Sequence, residues 1–149
     1  LVGSEMCIRD RLTTHNGDAS RGLNIAANAT FHDKDTNLVD NYQSLMLVYK
    51  GPFDARPKDD VGIGFSRIHV NQDVRKNAEL LNAAGGFTDY DQVGYAPLRD
   101  TEYNTEINYG FHVTNWLTVR PNLQYVTHPG GVDKVDNALV AGLKIQSTF

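Results

Sequence analysis

Residues 137–149 alternate so regularly between apolar and wetter side chains that an extended strand is the one conformation giving each set its own surface. Leu139, Ala141, Leu143, Ile145 and Phe149 fall on one face, with the small Ser147 among them. Lys144, Gln146 and Thr148 fall on the other, with Ala138, Val140 and Gly142. A period of two places successive side chains on opposite sides of a strand. Two runs just upstream repeat the pattern. Leu117, Val119, Pro121, Leu123 and Tyr125 alternate with Thr118, Arg120, Asn122 and Gln124. Tyr103, Ile107, Tyr109, Phe111 and Val113 oppose Glu102, Asn104, Glu106, Asn108 and His112. Only Thr114 and Asn115 separate these two runs, which suits a two-residue hairpin with Asn at positive φ.

The signal continues upstream in weaker form. Leu23, Ile25, Ala27, Ala29 and Phe31 alternate with Asn24, Ala26, Asn28 and Thr30, and Val61, Ile63 and Phe65 with Gly62, Gly64 and Ser66. Around Leu45, Leu47 and Tyr49 both faces are apolar. Past Phe65 the phase is broken by Arg67 and His69, which predicts a bulge there or the exit of the strand from its apolar surroundings. The pattern therefore predicts six strands in three hairpins, at about 20–31, 41–50, 60–70, 101–113, 116–127 and 138–149. The longest connection holds a predicted helix over 74–84, with Asp73 as N-cap and Gly85-Gly86 as the stop.

These strands carry charges and amides on one face and bulky apolar groups on the other, as in a wall between lipid and water. Longer polar connections at 32–41, 71–99 and 128–136 alternate with compact ones at 51–59 and 114–115, the asymmetry of a bacterial outer-membrane barrel with short turns on the periplasmic side. A final strand ending on an aromatic agrees with that reading. Composition is compatible and not diagnostic: 40% hydrophobic residues and a mean hydropathy of −0.42 suit a barrel in which only alternate residues meet lipid. No run approaches the roughly 20 apolar residues of a membrane helix. A formal charge of −4 with scattered basic residues argues against nucleic acid as a partner.

Enzyme chemistry finds no support in the spacing. Glu102 and Glu106 lie about 13 Å apart along one strand face, too far for a glycosidase pair. His15, His32, His69, His112 and His128 fall in different elements without metal-ligand spacing, and no phosphate loop, nucleophile elbow or Cys–His pair is present. No cofactor is expected.

Six strands do not close a membrane barrel, for which about eight is the minimum, and an open sheet in lipid leaves unpaired backbone at two edges. The chain is thus expected to be the C-terminal part of a larger barrel or else a soluble sheet. Residues 1–12 show no strand period and no signal-peptide architecture. They look like a translated sequencing-adapter peptide, so they are treated as a disordered leader without function, its Cys7 included.

From about Gly22, and most specifically over Glu106–Phe149, the sequence resembles the carbohydrate-selective porins of the OprB type. The residues carrying the likeness are Glu106-Ile107-Asn108-Tyr109, Val113-Thr114-Asn115-Trp116-Leu117-Thr118-Val119, Arg120-Pro121-Asn122-Leu123-Gln124-Tyr125-Val126, His128-Pro129-Gly130-Gly131, Asn137-Ala138-Leu139-Val140 and Thr148-Phe149. The resemblance implies an all-β, antiparallel up-and-down transmembrane β-barrel of sixteen strands in the bacterial outer membrane, of which this chain supplies the last six, admitting glucose and other mono- or oligosaccharides. Pro121, without an N–H, is expected to leave a local defect in the ladder.

The candidate pore-lining residues are Glu102, Asn104, Glu106, Asn108, Arg120, Asn122 and Gln124, with Arg67 as a further candidate on an uncertain face. Sugar hydroxyls both donate and accept, and such a row offers them many weak partners. The competing reading is a ladder that only holds the strands in register. Trp116, beside a turn, is expected to anchor at the membrane interface rather than stack on sugar. Partners would be saccharides and outer-membrane lipid, and a homotrimer is among the assemblies such a barrel allows. Two alternatives stand beside the porin: a barrel of another class, adhesin or translocator, and a soluble sugar-binding β-sandwich.

Overall fold

The computed structural model describes residues 4–148. Seven strands form one antiparallel sheet in sequential order: β1 (Ser4–Arg11), β2 (Gly22–Phe31), β3 (Val39–Lys50), β4 (Asp60–Val70), β5 (Thr101–His112), β6 (Leu117–Thr127) and β7 (Ala138–Ser147). Each strand pairs with its sequence neighbours only, the up-and-down arrangement that the hairpin pattern predicts. Phe149, the predicted terminal interface aromatic, lies outside the described residues.

The ladders fix the faces, because residues paired across strands stand on the same side. Met6 and Ile8 of β1 share a side with Leu45 and Leu47, Ile63 and Phe65, Ile107, Leu123, and Leu143 and Ile145. Among the described residues nothing packs against this apolar face: Ile107 is 53% exposed and Leu143 65% exposed. Among the described residues the buried apolar side chains are Val70, Ala78 and Val132, all at the end carrying the long connections. A single sheet without a second layer does not form the β-sandwich of the soluble alternative, whose apolar face requires a cover.

Several expectations need correction. Residues 4–11 are not a disordered leader; they pair with β2 from Ser4↔Phe31 to Arg11↔Asn24. Met6 and Ile8 face one way and Glu5, Arg9 and Arg11 the other, so a period of two is present over a stretch too short to be noticed, and backbone pairing supplies the rest. The sheet accordingly has seven strands rather than six. Of the two readings of the phase break past Phe65, the bulge in β4 is the one that fails, since β4 pairs regularly with β5 up to His69. The irregularity lies in the partner strand, between Val39 and Asn41, so Arg67 and His69 do follow the apolar face as β4 nears its loop end. The hairpin at 113–116 is not a two-residue turn with Asn at positive φ. Its Thr114 hydroxyl accepts the N–H groups of Trp116 at 3.2 Å and Leu117 at 3.0 Å, which stabilises a wider turn without left-handed backbone. Pro121, in contrast, leaves the expected defect: the β5–β6 ladder runs from Tyr103↔Thr127 to Asn108↔Asn122 and resumes only at Phe111↔Val119.

Connections 12–21, 51–59 and 113–116 gather at one end of the sheet; 32–38, 71–100 and 128–137 gather at the other. The asymmetry in length rests on 71–100, which contains helix α1 (Gln72–Gly85). Its N-cap is Asn71, not Asp73. The Asn71 side chain accepts the Asp73 N–H at 3.0 Å, leaving Asp73 in the first turn, where a negative charge suits the helix dipole. The same buried side chain donates to the carbonyls of Lys34 and Asn37, joining the helix to the preceding connection. Gly86 ends the helix in the left-handed region at φ 69. Within a closed barrel containing these strands, Asn71→Ala is expected to cost about 1–2 kcal/mol of local stability. Faster amide exchange across 72–85, with β2–β4 unchanged, would show it.

Candidate functional site

The polar face is organised in cross-strand rows. Lys50 pairs with Asp60, Asp60 with Gly110, and Arg120 with Lys144, while Arg120 stands opposite Gly110 across the Pro121 gap. The next row joins Val48, Gly62, Asn108, Asn122 and Gly142, and the one beyond it Met46, Gly64, Glu106, Gln124 and Val140. Long polar side chains are thus flanked by glycines. That vacancy lets Arg120 of β6 reach across β5 to Asp60 of β4. Its Nη2 donates to Asp60 Oδ2 at 2.9 Å and its Nη1 to Oδ1. A Cβ on Gly110 would stand 2.4 Å from Asp60 Oδ2 and 2.6 Å from Arg120 Nη2. The fork in this position, rather than the backbone angle, is what requires glycine here.

From this fork a connected chain of hydrogen bonds runs toward the loop end. Arg120 Nη1 also donates to Asn108 Oδ1 at 2.8 Å, and Asn108 Nδ2 to Glu106 Oε1 at 2.8 Å. Glu106 Oε2 accepts from Gln124 Nε2 at 2.8 Å and from Asn122 Nδ2 at 3.2 Å. Asn104 Nδ2 donates to Gln124 Oε1 at 3.3 Å, while its Oδ1 is buried without a protein partner. Asn108 is the most enclosed member at 4% exposure. Charge-assisted, two-pronged bonds of this kind hold geometry as well as energy.

Six of the predicted residues, Asn104, Glu106, Asn108, Arg120, Asn122 and Gln124, are thereby brought into one network. Glu102 shares their face but is turned to the rim, where its Oε2 accepts the Gly130 N–H at 2.6 Å and pins the 128–137 connection. Arg67 is not with them. It pairs with Gln43 and Tyr103 on the apolar side of the sheet, because β4 keeps its phase. The sequence reading missed Asp60, which sits at a turn boundary, and did not select Lys50 and Lys144. The repeated glycines at 62, 64, 110 and 142, all on the polar face, were the available sign that long neighbours need room there.

A groove of about 450 Å³ opens over the network, lined by both lysines and by Asp60, Glu106, Asn108, Arg120 and Asn122, with Met46 and Val48 as its floor. Neither Lys50 nor Lys144 has a carboxylate within ion-pair distance among the described residues. The groove therefore offers two ammonium groups beside a satisfied network. Among the described residues no three potential metal ligands come together.

The family model for "Carbohydrate-selective porin, OprB family" matches residues 8–149. The chain belongs to the OprB family of carbohydrate-selective porins. Its sheet is accordingly a segment of an outer-membrane β-barrel. It is 67% identical over 141 residues to Porin B of Pseudomonas aeruginosa, a match covering 95% of this chain and 31% of that protein. The high-pH structure of Pseudomonas putida OprB superposes with a TM-score of 0.96 at 67% identity, over 99% of this chain and 35% of that one. The low-pH structure of the same protein gives 0.69 at 49% identity, over 99% and 36%. The chain thus spans about a third of the length of the relatives it matches.

In this OprB-family segment the polar row is braced from the turn end. Asp59, next to Asp60 and 1% exposed, accepts the Arg56 guanidinium, the Tyr109 hydroxyl at 2.6 Å and the His112 N–H at 2.9 Å. Arg56 lies 3.8 Å above the Phe111 ring and donates to the His112 carbonyl at 3.1 Å. One turn along, Arg21 donates to the Gly51 carbonyl and to Asp54, while Lys58 reaches Asn115. The three turns form a continuous belt. The Arg56 guanidinium, helped by the Tyr109 hydroxyl and the His112 amide and opposed by burial, lowers the Asp59 carboxyl from 3.8 to about 2.

Two outcomes are expected. In a full-length barrel, Gly110→Ala should cost about 1–3 kcal/mol by displacing the Asp60–Arg120 fork, and Arg120→Ala should add little on top of it in a double-mutant cycle of thermal unfolding. Because the folded Asp59 carboxyl titrates below its unfolded value, its stabilisation is complete above the ordinary carboxylate range and fades as pH falls from about 4 toward 2. The gap in melting temperature between parent and Asp59→Asn should therefore be constant from pH 7 to 5 and shrink below pH 4.

Proposed function

We propose that this chain is a seven-strand segment of a sixteen-stranded carbohydrate porin, and that its polar face lines part of the channel through which sugars diffuse passively into the periplasm. β1 and β7 each have a single neighbour in the described sheet, and hydrocarbon does not tolerate unpaired backbone, so further strands must complete the wall. The observation that carries the functional reading is the connected row from Asp60 to Gln124 beside a groove with two unpaired lysines, backed by an exposed apolar face. Its polar groups hold one another in place, so a sugar hydroxyl replaces water at the row with little net gain and leaves as easily. A channel needs many such weak sites. The reading involves no covalent step and no cofactor, and mono- or oligosaccharides are the solutes it favours. Porin B, by its name a porin, supports the assignment at 67% identity.

The test is a chimera in which this chain replaces the matched segment of Porin B, reconstituted in liposomes. Glucose should enter at the parental rate. Removing one hydrogen-bonding partner typically changes a transfer step by a factor of about 2–10, so Glu106→Ala together with Arg120→Ala should lower glucose flux by that amount relative to an uncharged polyether of similar size. An unchanged ratio would mean that the polar face only fills space, as in an adhesin or translocator. Alone in lipid, the 149-residue chain should give no sugar-permeable conductance.

A further inference from the structure

Arg67 has no role in the polar row, and its place on the opposite face calls for one. It stands in a cross-strand row with Gln43 and Tyr103, the next row on that face toward the loop end from Leu45 and Phe65, two residue pairs along the ladder. Together these five side chains wall a groove of about 250 Å³. Leu45 is 39% exposed, and Phe65 and Tyr103 are each 47% exposed. The groove is therefore apolar toward the middle of the sheet and cationic toward its loop end. The Arg67 guanidinium donates to Asn41 Oδ1, but among the described residues no carboxylate lies within ion-pair distance of it. The nearby Asp40 and Asp100 are taken up by His69, at 2.6 Å and 3.3 Å, and Asp100 also by Arg75 at 3.2 Å.

An arginine on the lipid face costs about 2–4 kcal/mol at the bilayer midplane and roughly 0–1 near the interface. Its position past the apolar rows and beside an aromatic places it at the interface, on the side of the long connections, which face the exterior in bacterial barrels. Guanidinium binds phosphate with two parallel hydrogen bonds and keeps its charge at any accessible pH. We propose that Arg67, with Gln43 and Asn41 beside it, binds the phosphate of an outer-leaflet lipid whose acyl chain lies over Leu45 and Phe65. Charge and hydropathy change along the groove in the order in which such a lipid presents them. A free anion would leave the apolar half uncovered.

The experiment uses the Porin B chimera, delipidated in detergent and titrated with lipid A under native mass spectrometry. Arg67→Gln should weaken binding roughly tenfold, Arg67→Lys by less, because lysine keeps the charge and loses the fork. Lys134→Gln, which removes an exposed loop charge on the same side, should leave binding unchanged, and all three variants should melt with the parent. The dephosphorylated lipid should bind to parent and Arg67→Gln alike. The proposal fails if Arg67→Gln binds lipid A as the parent does, if Lys134→Gln loses as much, or if equimolar inorganic phosphate displaces the lipid. It also fails if Arg67→Gln dissociates an oligomer in sedimentation, since the site would then belong to a second copy.

Discussion

The structure depends on one constraint: seven strands must hold a common register so that every second residue meets the same medium. In an antiparallel ladder a slip of one residue exchanges the faces of a whole strand. For β5 and β6 that exchange would carry Glu102, Glu106 and Arg120 to the apolar side and leave Ile107 and Leu123 among amides. The backbone ladder alone is indifferent to such a slip; the side chains are not. The Asp60–Arg120 fork, the Glu106 amide cluster and the glycines that make room for both are satisfied in one register only. The same groups that form the candidate channel wall therefore also specify the sheet, and the two readings weighed from sequence are not exclusive.

Much of the fold was legible because the alternation is carried by residues of opposed character. In β5, β6 and β7 bulky apolar groups face amides and charges, and the strand bounds and faces follow directly. Legibility failed where local pattern and long-range partner disagree. β1 shows only Met6 and Ile8 on its apolar side, too few to register as periodic, and its structure comes from β2. At the loop end of β4 the apolar face carries Arg67 and His69, which read equally as a bulge or as the strand leaving its apolar surroundings, because period alone does not separate the two. The bulge was real but lay in β3, visible only once Val39 and Asn41 are set against their partners. Asn71 and Asp73 are both good caps, and the choice between them turned on carbonyls of Lys34 and Asn37 that no local window contains.

The candidate site was legible by face and not by connection. Six of its polar residues alternate in phase in β5 and β6, so their common surface follows from period alone. That Arg120 passes over Gly110 to Asp60, two strands away, depends on register and on a missing Cβ, neither of which a single strand displays. The turn belt is hidden for a similar reason: Asp59 comes from the 51–59 connection and Tyr109 and His112 from the end of β5, and only the folded sheet brings them together.

Pro121 has a consequence for how this wall holds together. It divides the seam between β5 and β6 into a long backbone zipper toward the loops and a two-pair remnant at the turn. Between them no residues of the two strands are in ladder register, and the Arg120 fork crosses over that interval. Cohesion there passes from main chain to side chain, and from a sequence-blind bond to one that a single substitution can sever. On the proposed channel reading, selection on channel chemistry and selection on mechanical strength act at this seam on the same atoms. A residue with an N–H at position 121 would separate them, freeing Asp60 and Arg120 to vary.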